Sequence, residues 1–247
     1  MQVTGMGIGF IDVRPEEALE YNQWWDTTMG PGNAALPEIA EARRYVAPTD
    51  YQKLRGPIED KGFEQGRATY VHMYMFGTDD IPAGQASMGA IARRINDEGR
   101  NFGKGWSRYQ GPHRLVKAHA RKGLPVDEAA IPYLGHVAVH FSIGQITDKS
   151  LIPDVEAWYD EVHLPDILET PGFLSVMRLM PLNPEKEGRF IHVFYLDEYP
   201  KSALENFTAR IGDLKERGRL ESPGKSVRLI FGGPFRPIVP LQYDFLE

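Results

Sequence analysis

The chain contains no cysteine. That absence removes a disulfide framework, a thiolate nucleophile, and thiolate ligation of zinc, haem iron or an iron–sulfur cluster. Long apolar runs are missing too: nothing in the 247 residues approaches the roughly 20 apolar positions of a membrane-spanning helix. Met1, Gln2, Val3 and Thr4 lack the basic flank and apolar core of a secretory signal, so a cytoplasmic protein with no membrane partner is expected. Positive charge is scarce. A formal net charge of −6 argues against a nucleic-acid partner, because neutralising phosphates needs a concentrated basic face. There is no Walker loop, no Gly-x-Ser-x-Gly elbow and no His-Glu-x-x-His pair, and the glycine-rich Gly5-Met6-Gly7-Ile8-Gly9 lacks the spacing and context of a dinucleotide loop. Any chemistry must therefore use histidine, carboxylates, hydroxyls or a bound group.

What is present is a repeat. Trp24, Asp26 and Arg44 each lie 134 positions before Trp158, Asp160 and Arg178. Tyr70-Val71-His72-Met73-Tyr74 matches Phe190-Ile191-His192-Val193-Phe194 at a spacing of 120, and Gly111-Pro112-His113-Arg114 matches Gly233-Pro234-Phe235-Arg236 at 122. Matches that recur in the same order point to a duplicated unit. The change of spacing puts extra residues of the first copy in the polar segment 49–67, between its second and third strands.

The second copy gives the cleaner trace. Residues 136–143 alternate with period two, as a strand with two different faces does. Val155, Trp158, Tyr159, Val162 and His163 recur at helical spacing behind Asp154, and Pro165 predicts that this helix ends near His163. Strands are predicted over 173–180, 190–196 and 226–231, with a helix over 202–217. The order β-α-β-β-α-β is that of a ferredoxin-like unit. The expected organisation is a first unit in residues 1–117, a connector in 118–134 broken by Gly123, Pro125 and Pro132, and a second unit in 135–247. Arg114, Lys117, Arg121 and Lys122, with His113 and His119, form one local basic cluster, read as a solvated face.

Trp158-Tyr159-Asp160-Glu161-Val162-His163-Leu164-Pro165, followed by Thr170-Pro171-Gly172-Phe173 and a strand through Arg178, resembles the EthD-like members of the dimeric α/β-barrel superfamily. The resemblance implies an α+β fold: two tandem ferredoxin-like units whose antiparallel sheets close into one barrel within a single chain. The superfamily hosts cofactor-free cyclases, isomerases and monooxygenases as well as haem enzymes, so function must be argued from the site. The first copy has Met29 where the second has His163, and Gly9 is aligned with His140. The second copy is therefore the expected site; for the first copy the alternatives are a structural role or a different site using His72 and His113.

Candidate catalytic residues are His163, His140, Tyr159 and His192, with Trp158, Arg178 and Phe194 as candidate substrate contacts. At a helix C-terminus the dipole favours imidazolium while burial favours the neutral ring, and a balance near working pH would suit His163 as an acid or base. His140 and His192, on neighbouring strands, are expected to face it. Asp160 and Asp26 are read as structural because both copies carry them. The preferred expectation is a cofactor-independent lyase, isomerase or cyclase that moves protons on a small hydrophobic, aromatic compound. The runner-up is a haem oxidoreductase with His163 or His192 as axial ligand, since the resemblance includes duplicated chains holding one haem in the second unit. A non-catalytic binding module is a third reading. No close-spaced ligand pair supports a metal site, and a homodimer is compatible with the outer surfaces left free.

Overall fold

The structure is a computed structural model that describes residues 1–56, 63 and 68–246. Strand β1 is Gly5–Asp12, and helix α1 follows in three contiguous segments, Ala18–Trp24, Trp25–Met29 and Gly30–Ala34. Next come β2 (Ile39–Val46), β3 (Tyr70–Phe76), helix α2 (Ile81–Asp97) and β4 (Trp106–Ala120). The second unit repeats the order. It comprises β5 (Ala138–Ile146), α3 in the segments Ile152–Trp158, Tyr159–His163 and Leu164–Leu168, β6 (Phe173–Pro181), β7 (Arg189–Leu196), α4 (Pro200–Glu216) and β8 (Val227–Pro237). Of the expected insertion, Thr49–Gln52 is a short helix, while residues 57–62 and 64–67 lie outside the described residues.

Each strand pairs antiparallel with two neighbours, and the order β1-β3-β2-β8-β5-β7-β6-β4 closes into a barrel. Within each unit the order is the ferredoxin-like one, fourth, first, third, second. The two seams are unequal: β4 runs past β1 to pair with β6 from His113↔Pro181 to Ala120↔Ser175, whereas β2 meets β8 through Tyr45↔Pro237 and Val46↔Arg236. Period-two alternation then sorts side chains between the interior and the helices. Val139, Phe141 and Ile143 are fully buried in the barrel core with Met6, Ile8 and Phe10, and His140 and Ser142 face the other way. Phe10 packs edge-on against Phe141 and Phe231, at 5.3 and 5.4 Å between centroids, so rings from both units share one core.

Three expectations need correction. Helix α3 does not end at His163: the Leu164 N–H reaches back five residues to the Tyr159 carbonyl, and the helix continues to Leu168. This single π-turn lets the chain carry Pro165 inside a helix, because the ladder is already shifted where the missing N–H and the ring would disrupt it. The first copy repeats the device, with Gly30 N–H on the Trp25 carbonyl just ahead of Pro31. The expected connector also begins too early. Residues 118–120 belong to β4, and the linking segment contains a 3-10 turn, Glu128–Tyr133, around Pro132. Finally, strand register aligns His140 with Gly7 rather than Gly9. Gly7 opposes Tyr74 and Pro112, as His140 opposes Phe194 and Pro234, and Gly9 corresponds to Ser142.

Candidate functional site

A cavity of about 450 Å³ lies between the outer face of the second unit's sheet and its two helices. The sheet contributes His140 and Ser142 from β5, Phe173 from β6, and His192 and Phe194 from β7. Helix α3 contributes Trp158, Tyr159, His163 and Ile167, and α4 contributes Leu204 and Phe207. The loop after α4 closes the mouth with Leu220, Glu221, Ser222 and Lys225. The size falls within the roughly 300–1,000 Å³ usual for small-molecule sites, and the walls are mostly aromatic and aliphatic.

The π-turn arranges the helix side of this wall. In an α-helix, residues five apart point about 140° away from each other. Across an i→i+5 turn they come round to one side. The Trp158 indole and the His163 imidazole accordingly stack at 4.4 Å between centroids with 17° between planes. Tyr159 sits between two histidines, with its ring centroid 5.7 Å from that of His163 and 4.5 Å from that of His192. Phe190 stacks on His192 from the strand side at 4.7 Å.

Desolvation decides the charge state of these rings. Burial pushes His163 down to about 4, although Asp166 pulls the other way. Burial, aided by Arg55, takes His140 to about 4. Burial, with Arg178 nearby, holds His192 well below the usual imidazole range. The expected balance near working pH for His163 is thus not what the structure gives. The helix runs one more turn, so the C-terminal carbonyls that would have favoured imidazolium are not beside it, and burial prevails. All three rings are neutral at pH 7. Nδ1 of His140, Nδ1 of His163 and Nε2 of His192 are sealed from solvent with no hydrogen-bond partner among the described residues. Buried polar atoms usually have partners, so three orphans around one cavity mark it. Burial also raises the Tyr159 hydroxyl, which stays protonated.

Arg178 is absent from this wall. Its guanidinium makes a two-point bond to Asp160, Nε to Oδ1 at 3.0 Å and Nη2 to Oδ2 at 2.7 Å, with Glu156 at 3.8 Å. The expected substrate contact is a clamp that fastens α3 to β6. Arg44 and Asp26 make the same clamp in the first unit at 2.7 Å, and Asn22 adds 2.8 Å. The signal was in the sequence: Asp and Arg are 18 residues apart in both copies. Missed residues of the wall include Phe207 and the Leu220–Lys225 loop, for which no motif stood out, and Phe173, which the Thr170–Phe173 motif contains without marking it as a contact. His136 is elsewhere too, stacked on Tyr195 at 4.0 Å and bonded through Nε2 to the Tyr45 hydroxyl at 3.1 Å.

His72 and His113 do not form one site. His72 faces the helices of the first unit, whereas His113, 1% exposed, points into the barrel and meets the Tyr109 hydroxyl at 2.8 Å. No cluster of three or more His, Asp or Glu side chains that would suit a metal ion occurs among the described residues. No helix among them is long and apolar enough to cross a membrane.

No family profile and no curated protein sequence matches this chain. Solved structures do. An encapsulated DyP-type peroxidase from Mycobacterium smegmatis matches with a TM-score of 0.59 and 10% identity, over 100% of this chain and 95% of the other. DyPB from Rhodococcus jostii matches at 0.56 and 10%, over 96% and 93% of the two chains. An anthrone oxidase-like protein matches at 0.52 and 11%, over 96% and 92%. The likeness is one of fold, a closed eight-stranded barrel of two ferredoxin-like units in this chain. At such identities the likeness establishes architecture alone. In this α/β barrel one chain supplies both ferredoxin-like units, and the neighbours with which it shares that shape are named mainly as enzymes.

Proposed function

We propose that the second unit's cavity is a haem site and that the protein is an oxidoreductase, in which His163 or His192 would hold the iron. The observation that carries this reading is the convergence of three desolvated, neutral imidazoles with orphaned ring nitrogens on one aromatic-walled cavity. Iron is ligated by neutral imidazole, so the burial that spoils these rings as acids at pH 7 suits them as ligands. The aromatic walls suit a planar apolar macrocycle, while Lys225 at the rim is paired with Glu221 at 3.2 Å. Bound haem supplies one-electron and peroxide chemistry that no side chain of this cysteine-free chain offers. The protein's own part would be to orient the ring and to exclude water through Trp158, Phe173, Phe194 and Phe207. The Trp158–Pro165 motif supports an EthD-like origin for this pocket. Two of the structural neighbours carry peroxidase and oxidase names, which agrees with redox chemistry.

The preferred expectation from sequence, proton transfer without a cofactor on an aromatic compound, is the second reading. Tyr159 supports it, because its hydroxyl-bearing ring stands between two neutral imidazoles. A conjugate acid at about 4 makes His163 a weak base and an unavailable acid at pH 7, which places this reading second. One titration separates the two. Purified chain with added haem should develop a Soret band at one haem per chain, diminished in His163→Ala or His192→Ala and retained in His72→Ala. No Soret band at any ratio would remove haem and leave proton transfer.

A further inference from the structure

The first unit has a cavity at the corresponding place, and it is chemically different. It measures about 360 Å³ and is lined by Tyr21, Trp24 and Met29 of α1, His72 and Tyr74 of β3, and Phe102 of the loop after α2. Trp24, Met29, His72 and Tyr74 stand where Trp158, His163, His192 and Phe194 stand in the second unit. No Asp, Glu, Lys or Arg lines it among the described residues. Its helix imidazole is gone, replaced by the Met29 thioether, and its strand imidazole is capped: Tyr21 Oη lies 2.6 Å from His72 Nε2. The Tyr21 ring also lies nearly parallel to the His72 ring, with 17° between planes and 6.0 Å between centroids.

The tautomer follows from these contacts. Burial keeps His72 neutral, at about 3, and holds the Tyr21 hydroxyl protonated. Tyr21 Oη has no other hydrogen-bond partner among the described residues, so its proton is assigned to the bond with Nε2 and the ring proton to Nδ1. No hydrogen bond among the described residues uses that Nδ1. The cavity therefore presents the His72 N–H in an uncharged wall of aromatic and thioether groups that also carries Tyr74, Asn101 and Ser107. We infer that the first unit is a second binding site, distinct from the imidazole-rich one, that takes a neutral one-ring aromatic carbonyl compound, its ring against Trp24, Met29 and Phe102 and its oxygen accepting from His72. A carbonyl oxygen accepts and does not donate, which matches the His72 donor. An aromatic ring suits a space of this size, and no ionised side chain lines it; Lys104, 5.6 Å from the Phe102 ring, is already paired with Glu20. The inference holds whether or not the second cavity takes haem.

Acetophenone is the probe, with ethylbenzene as the ring of like shape that cannot accept a hydrogen bond. Each is titrated into the full chain while the Met29 methyl and Trp24 indole signals are followed by NMR. Saturable shifts of both signals are expected with acetophenone, with ethylbenzene at least about tenfold weaker, the ratio one hydrogen bond of about 1.4 kcal/mol gives. The variant His72→Phe should bring acetophenone down to the level of ethylbenzene. Shifts confined to Trp158, equal affinity for the two compounds in the natural chain, or no saturable shift would each overturn the inference, and none of these three outcomes depends on a variant folding.

Discussion

The two units keep the same clamp and different pockets. Arg44–Asp26 and Arg178–Asp160 tie helix to sheet at 2.7 Å in both, and both helices open into a π-turn just before a proline. On that shared frame the second unit carries His140 and His163 where the first has Gly7 and Met29, and only the strand histidine is common. Even that one differs in state. His72 is capped by Tyr21, while the position matching Tyr21 in the second unit is Val155, which leaves His192 Nε2 without a partner. Duplication thus fixed the backbone device and left the ring nitrogens free to diverge, unpartnered around one cavity and capped by a tyrosine in the other.

The largest effect expected from this comparison is on stability against pH. His72 is lowered to about 3, and His113, His136, His140 and His163 to about 4, in each case mainly by burial. An unfolded imidazole takes a proton near 6.5 that the folded ring refuses, so folding stability is complete above that pH and declines as pH falls from about 6.5 toward 4. Each ring can contribute of order 3 kcal/mol to that decline, against a total stability of about 5–15 kcal/mol. Denaturant melts between pH 7 and 4 should therefore show steep loss involving both units. A flat profile over that range would mean the rings are not desolvated.

The clamps come next. The side chains of Arg44 and Asp26 are 2% and 1% exposed, whereas Asp160 is 23% exposed and also meets His119 at 3.2 Å. Asp26 further accepts from the Tyr243 hydroxyl at 2.6 Å and the Leu241 N–H at 2.8 Å, so removing its arginine strands a deeper charge. Arg44→Ala should cost roughly 3–5 kcal/mol and Arg178→Ala roughly 2 kcal/mol in urea unfolding. The reverse order would mean that the second clamp, beside the candidate site, carries more of the fold than its exposure suggests.

Much of this was legible in the sequence, for reasons that mark where it stopped. Trp24, Asp26 and Arg44 echo Trp158, Asp160 and Arg178 because the clamp constrains residue type at fixed spacing in both copies. Alternation along residues 136–143 assigned Val139 and Phe141 to one face and His140 to the other, and strand neighbours followed from the ferredoxin-like order. Of the pocket residues, His140 and His192 were singled out on those grounds, and Trp158, Tyr159 and His163 on helical spacing and the resemblance to EthD-like members. Arg178 was misplaced because an arginine's reach does not reveal its partner. The helix end was misread at Pro165 because a π-turn is a shift of backbone register that composition does not signal. That one error carried into chemistry: a helix ending at His163 would have supported a charged ring, and the continued helix does not.

The most direct test of the difference between the units is the titration of the imidazole rings themselves. In nitrogen-15 NMR spectra of the histidine-labelled chain, His140 and His163 should stay neutral on lowering the pH past 6, with midpoints near 4 if the fold persists that far. Midpoints near 6.5, the value of a solvated ring, would contradict a desolvated cavity of neutral imidazoles and with it the ligating role proposed for the second unit.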